Sequence, residues 1–210
     1  YEDSLSGKDG QASGNEVVGP EQGENLNLTI DPNIQTEAQK ILTRLVTTKN
    51  AKSGSIIVQE PKTGKILAFE NYPGFDPNDY GQFDLEIFIN QSIQGIYEPG
   101  SVFKVITMAA GIDSGRITPD TIFNDTGILK VSGREIRNWD LKAHGKITMT
   151  NVIEQSVNTG AAFAERQTGH TVFTEYLKKF GLNEKTGIDL PGELNGDIKR
   201  LKPGAPEVVF

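Results

Sequence analysis

The sequence predicts an α/β protein of the α+β kind, and three observations predict it. A strand-turn-strand pattern runs through "SGSIIVQEPKTGKILAFE", an amphipathic stripe runs from Ile34 to Leu45, and apolar helical segments recur after residue 100. With 210 residues, 36% of them hydrophobic, the chain can bury a sizeable core. The formal charge of -7, with no basic run, argues against a phosphate-backbone ligand, so no nucleic-acid partner is expected. The absence of cysteine excludes disulfides and thiolate metal sites. His144 and His170 stand far apart without ligand-type neighbours and read as surface or loop residues, so neither a metal nor a cofactor is expected. No apolar run reaches the ~18 residues that span a bilayer, and "YEDSLSGKDG" has no signal-peptide pattern.

Taken in order, residues 1 to 24 are rich in Gly, Ser, Asp, Glu and Gln and read as a loop, a linker or the end of a preceding module. Leu26, Leu28 and Ile30 alternate with polar residues as a short strand does. Asp31 then offers an N-cap and Pro32 a first helical position. Ile34, Ala38, Ile41, Leu42 and Leu45 form one apolar stripe, which the Thr47, Thr48 and Asn50 cluster ends. Pro61, Lys62, Thr63 and Gly64 join the two strands of a hairpin, and the Pro- and Gly-rich "NYPGFDPNDYGQFD" forms a structured loop. A helix from Ser101 to Ile112 has apolar residues over most of its circumference, which predicts burial on nearly all sides, and Gly115 closes it. Two short helices separated by Ser156, Val157 and Asn158 follow, then a last helix stopped by Gly181.

Within "YEPGSVFKVITMAAG", Ser101 and Lys104 stand three apart and project from one helix face, so the amine can reach the hydroxyl. Serine is a weak nucleophile until a base takes its proton. A lysine does so only if its pKa falls from about 10.4 by roughly 3 units, about 4 kcal/mol. Burial at the head of an apolar helix, beside the positive end of its dipole, supplies that shift. The alternative is a helix cap and a surface charge, which fits poorly with the apolar girth of the segment. In "QSVNTG", Ser156 and Asn158 flank Val157 and face the same way on a turn backbone, where they can relay a proton and hold a carbonyl or amide; as common loop residues they prove nothing alone.

Together, S-x-x-K followed by S-x-N resembles the serine acyltransferase signature of penicillin-binding proteins and β-lactamases. "LTIDPNIQ", "EPKTGKILAF", "YEPGSVFKVITMAAGIDSG", "RNWD", "QSVNTG" and "FGLNEKTGIDLPGE" follow one another as in class B, monofunctional penicillin-binding proteins, and look closest to the penicillin-binding protein 2 branch that serves cell elongation. The resemblance implies a transpeptidase fold with a central antiparallel sheet and a helical subdomain. It also implies residues 1–24 as the end of an N-terminal pedestal module and residues 25–210 as the N-terminal part of the transpeptidase domain. By it Ser101 is the nucleophile toward the D-Ala-D-Ala bond of a peptidoglycan stem peptide and Lys104 its base. Ser156 passes the proton to the leaving D-alanine, Asn158 orients Lys104 and binds the donor amide, and the Ser101 N–H is an oxyanion donor. β-Lactams would acylate the same serine. A membrane glycosyltransferase is the implied partner, and the cell-wall side of the membrane the implied location, with an anchor helix upstream of Tyr1.

The chain departs from the family in two places. Gln91 and Ser92 follow Asn90, where arginine and alanine are common. The third signature element, a K-[ST]-G on a cleft strand, has two sequence matches, and both read as decoys: Lys62 to Gly64 is the hairpin turn, and Lys185 to Gly187 runs into the "TGIDLPGE" loop. The last catalytic strands are therefore expected to come from a second chain or from further residues. A non-catalytic sensor or scaffold that binds β-lactam or muropeptide is the alternative that this departure feeds. A β-lactamase needs a carboxylate to activate water, and Glu154, the nearest candidate, reads as a helix-surface residue.

Overall fold

Asp31 and Pro32 start the long helix as the sequence predicts. In the computed structural model, which describes residues 1–9, 11–13, 16–131 and 134–196, the Asp31 carboxylate accepts from the N–H groups of Asn33 and Ile34 at 2.8 and 3.1 Å. The chain divides into two compact units, Tyr1–Ser92 and Ile93–Phe210.

In the first unit a short helix α1 (Glu2–Leu5) and an antiparallel pair, β1 (Gln11–Ser13) with β2 (Glu16–Val18), occupy the segment expected to be irregular. Elements of three or four residues are too short to carry a periodic signal. The strand expected over Leu26 to Ile30 is not formed. That segment is held to its neighbour by the Asp31 N–H on the Leu67 carbonyl at 2.9 Å and by the Thr29 hydroxyl on the Ile66 carbonyl at 2.6 Å, a tether rather than a ladder.

Helix α2 (Pro32–Lys49) ends at Asn50, whose left-handed backbone caps it. It buries Ala38, Leu42 and Val46, whereas Leu45, assigned to the stripe by its spacing, is exposed. The apolar face is the expected one through Ala38 and Leu42, with Ile34 and Ile41 half-buried, and it ends on Val46 in place of Leu45. Beneath α2 lies the predicted hairpin, β3 (Gly54–Gln59) with β4 (Ile66–Tyr72), and its turn contains Gly64 at φ 77°. The Gln35 amide accepts from the Phe69 N–H at 2.8 Å and donates to the Phe69 carbonyl at 3.2 Å, satisfying both backbone groups on the free edge of β4. The following loop folds through 3-10 turns at Tyr80–Gln82 and Leu85–Phe88, with Phe75 packed edge-on against Phe83 and Phe88. In the departure from the family, Asn90 accepts from the Ser92 N–H and the Asn71 amide, and the Ser92 hydroxyl donates to Asn71. The short helix α3 (Gln91–Gln94) carries the chain onward.

The second unit is built on α4 (Lys104–Asp113), α5 (Met149–Glu154), α6 (Asn158–Thr168) and α7 (His170–Lys179). One core cluster joins Met108, Ile117, Ile147, Met149, Val152, Val157 and Ala164, and a second joins Ala110, Phe173 and Leu177. Gly115 at φ 69° and Gly181 at φ 74° end α4 and α7 as expected. Helix α4 is not buried on nearly all sides: Val105 is 65% and Ile112 44% exposed, while Lys104, Thr107, Met108, Ala110 and Gly111 form the covered face. Apolar girth reports composition, and only packing decides which side is covered.

Between residues 117 and 148, for which the sequence predicts no element, the described residues form four short strands. β5 (Ile122–Asp125) pairs antiparallel with β8 (Gly145–Thr148), and β6 (Ile128–Val131) with β7 (Arg134–Arg137). The described residues contain only two-stranded antiparallel pairs. Residues 197–210 lie outside the described residues.

Candidate active site

Pro99 and Gly100, the latter at φ 61°, turn the chain into a 3-10 segment, Gly100–Phe103, that leads directly into α4. The helix thus starts as a tighter coil than the α-helix expected from Ser101, and the change matters. In a 3-10 turn residues three apart eclipse, so Lys104 lies over Ser101 and its Nζ stands 3.3 Å from the serine Oγ. Ser101 faces solvent, whereas Lys104 is only 5% exposed.

The second contribution comes from the turn between α5 and α6. Ser156 adopts φ 54°, a left-handed backbone rare for a residue with a Cβ. That geometry aims both its oxygens at one atom: its carbonyl lies 2.7 Å and its hydroxyl 2.9 Å from the Lys104 Nζ. Asn158, the first residue of α6, adds its Oδ1 at 2.6 Å and donates through Nδ2 to the Arg137 carbonyl at 2.8 Å. The sequence reading placed Asn158 in the break; the structure places it one step later, at the helix start. Ser101, Lys104, Ser156 and Asn158 therefore meet at a single nitrogen.

All four partners of that nitrogen are neutral oxygens. Burial without a counter-charge lowers the Lys104 pKa below its ordinary value. The Ser156 carbonyl and Asn158 Oδ1 can only accept, so they fix two N–H bonds of a neutral amine. The remaining lone pair is left for a hydroxyl proton of Ser101 or Ser156. This arrangement can deprotonate Ser101 and connect it, through the amine, to a second hydroxyl.

Neither K-T-G lies on a strand. Lys62 to Gly64 forms the β3–β4 turn, and at the second triplet the Thr186 N–H and hydroxyl both donate to Glu193 Oε1 at 2.6 Å. Glu154 is exposed on α5 and accepts from Asn151. The histidines serve elsewhere: His144 sits in a loop with its Nε2 3.3 Å from Asp140, and His170 begins α7. Sequence reasoning missed Asp125, Asn138 and Thr159, a buried polar cluster behind Asn158. The "NDTG" turn and the alternation of "ILKV" and "REIR" were the signals available.

The penicillin binding protein transpeptidase domain family matches residues 54–204, and this chain belongs to that family. Stage V sporulation protein D of Bacillus subtilis is 30% identical over 98% of this chain and 34% of its own length. Peptidoglycan D,D-transpeptidase MrdA of Acinetobacter baumannii is 30% identical over 84% of this chain and 27% of its own. Among solved structures, penicillin-binding protein 3 from Mycobacterium tuberculosis, complexed with aztreonam, superposes with a TM-score of 0.79 at 30% identity, covering 91% of this chain and 42% of that one. The fold is thus the mixed α/β transpeptidase fold, and the chain spans 34% and 27% of the lengths of these two curated relatives. No helix among the described residues is long and apolar enough to cross a membrane.

Proposed function

We propose that the chain carries the acylating site of a serine D,D-transpeptidase that cross-links peptidoglycan stem peptides and is inhibited by β-lactams. The observation that carries this reading is the Lys104 amine, buried and held within 3.3 Å of both the Ser101 and the Ser156 hydroxyls. The Lys104 lone pair takes the Ser101 proton as Oγ attacks the carbonyl of the penultimate D-alanine. The resulting oxyanion accepts from the Ser101 N–H, which lies at a helix start where backbone donors lack intrahelical partners. Ser156 passes the proton to the departing amine, the C–N bond breaks, and D-alanine leaves. An acceptor amine then attacks the ester, forms the cross-link and returns the proton to Ser101. Asn158 holds Lys104 through Oδ1 and, by moving its amide, can bind the donor peptide.

The run from "YEPGSVFK" to "LPGE" supports placement nearest the elongation branch, a membrane glycosyltransferase as partner, and a site on the cell-wall side of the membrane. The test is an intact mass before and after a labelled penicillin, with peptide mapping. The expected result is one adduct on Ser101, lost in Ser101→Ala. Folded protein that takes no label would overturn the reading and favour a scaffold that keeps the fold without the chemistry. In that event, recovery of labelling when further transpeptidase sequence is added would identify an incomplete site instead.

A further inference from the structure

Behind the four residues at the Lys104 nitrogen lies a second polar cluster that the reaction scheme does not use. Asp125, Asn138 and Thr159 are each almost wholly buried. The Asp125 carboxylate accepts four hydrogen bonds: from the Thr159 hydroxyl at 2.6 Å, the Asn138 amide at 2.7 Å, and the Gly127 and His144 N–H groups at 2.8 and 2.9 Å. Asn138 spends its other donor on the Lys142 carbonyl at 2.9 Å, and its Oδ1 lies 3.2 Å from both the Thr159 N–H and the Thr159 hydroxyl.

The placement of that last contact is informative. Helix α6 begins after Val157, which has no side chain able to cap it, so the first N–H groups of the helix need an acceptor from elsewhere. Asn138 supplies it, acting as a helix cap from a distant part of the chain. The residue before Asn138 is Arg137, whose carbonyl holds the Asn158 amide; the residue before Thr159 is Asn158 itself. Two adjacent residues of one segment therefore grip two adjacent residues of the other, one pair at the site and one pair behind it.

Resting on the transpeptidase reading, we propose that Asp125, Asn138 and Thr159 are positioning residues that fix the start of α6 and so hold Asn158 Oδ1 on the Lys104 amine. The carboxylate orients the Asn138 amide and the Thr159 hydroxyl, and those two set the register in which Asn158 meets Lys104. A displacement of about 1 Å at a reacting group can cost about a hundredfold in rate, which sets the upper range of the effect.

The test compares Thr159→Val, Thr159→Ser and Asn138→Ala, each alone and combined with Asn158→Ala, in the full chain. Two quantities are measured beside the melting temperature: the rate of Ser101 acylation by penicillin, and the pH titration of the Lys104 Cε resonance by NMR. The expected result is that Thr159→Val and Asn138→Ala slow acylation by up to about a hundredfold. They move the Lys104 titration in the direction that Asn158→Ala moves it, and add little once Asn158 is already alanine. Thr159→Ser, which keeps the hydroxyl, restores both. Effects that add in full to Asn158→Ala, or a Lys104 titration unchanged by loss of the Thr159 hydroxyl, would show a merely structural cluster and overturn the proposal. Absence of acylation in the unsubstituted protein would sink the transpeptidase reading alone, because the Lys104 titration still decides the positioning.

Discussion

At the scale of the residue, the proposed chemistry turns on the buried Lys104 amine. Only the free amine can accept the Ser101 proton, so the acylation rate is expected to rise with pH through the Lys104 pKa and level off above it. Burial lowers that pKa, so the midpoint of the rise is expected below the ordinary lysine value of about 10.4. Stopped-flow acylation by a chromogenic β-lactam across pH would locate it; a midpoint at the ordinary value would mean that Lys104 is solvated in the reacting state, and a rate that does not rise with pH would mean that it is not the base. Lys104→Arg keeps the charge but cannot be deprotonated, and is expected to cost about 10² to 10⁴ in acylation rate. The meeting of Ser101, Lys104, Ser156 and Asn158 was legible from sequence because two short motifs set these residue types at fixed spacings. Asp125, Asn138 and Thr159 were not, because each is an ordinary turn or helix residue until the fold brings them together across as many as 34 positions.

At the scale of the element, capping and turn chemistry proved legible and burial only in part. Asp31, Asn50, Gly115 and Gly181 act through their own backbone neighbourhood, which sequence records directly. Which face of α2 or α4 is covered depends on neighbours far along the chain, and this accounts for both the exposed Leu45 at the end of the α2 stripe and the exposed Val105. The close approach of α5 to α6 is another such feature. A Cβ on Gly160 would lie 2.3 Å from Cγ2 of Val152, a contact that real side chains do not make. Gly160→Ala is therefore expected to destabilise the protein by about 1 to 3 kcal/mol despite the better helix propensity of alanine. Because Gly160 is two residues from Asn158, the relief of that clash displaces the site as well. Urea unfolding beside penicillin acylation measures both, and stability equal to or above that of the unsubstituted protein would show that the helices part without cost. The paired substitution Val152→Ala, which removes the opposing methyl groups, should return part of the loss if contact between these two residues is its cause.

At the scale of the whole molecule, Asp125 ties more of the second unit together than any sequence pattern suggested. Its carboxylate reaches the turn into β6 through Gly127, the loop after β7 through Asn138, the approach to β8 through His144, and α6 through Thr159. Desolvation pushes its pKa up, but the four hydrogen bonds outweigh that push and hold it below the ordinary aspartate value. The folded state therefore binds the proton less readily than the unfolded chain. The stability this contributes is present in full above the unfolded value of about 3.9 and is lost as pH falls through the lower folded value. Asp125→Asn places an amide against N–H groups that can only donate, and is expected to cost about 1.5 to 3 kcal/mol at neutral pH. The difference between the two proteins should shrink as pH falls from ~3.9 through the lower folded value, because over that range the unfolded chain takes up the proton that the native carboxylate resists. Denaturant titrations at neutral and acid pH provide the comparison. A gap that stays constant across that range would mean that the carboxylate charge is not what the four donors hold, and that the tie is one of shape alone.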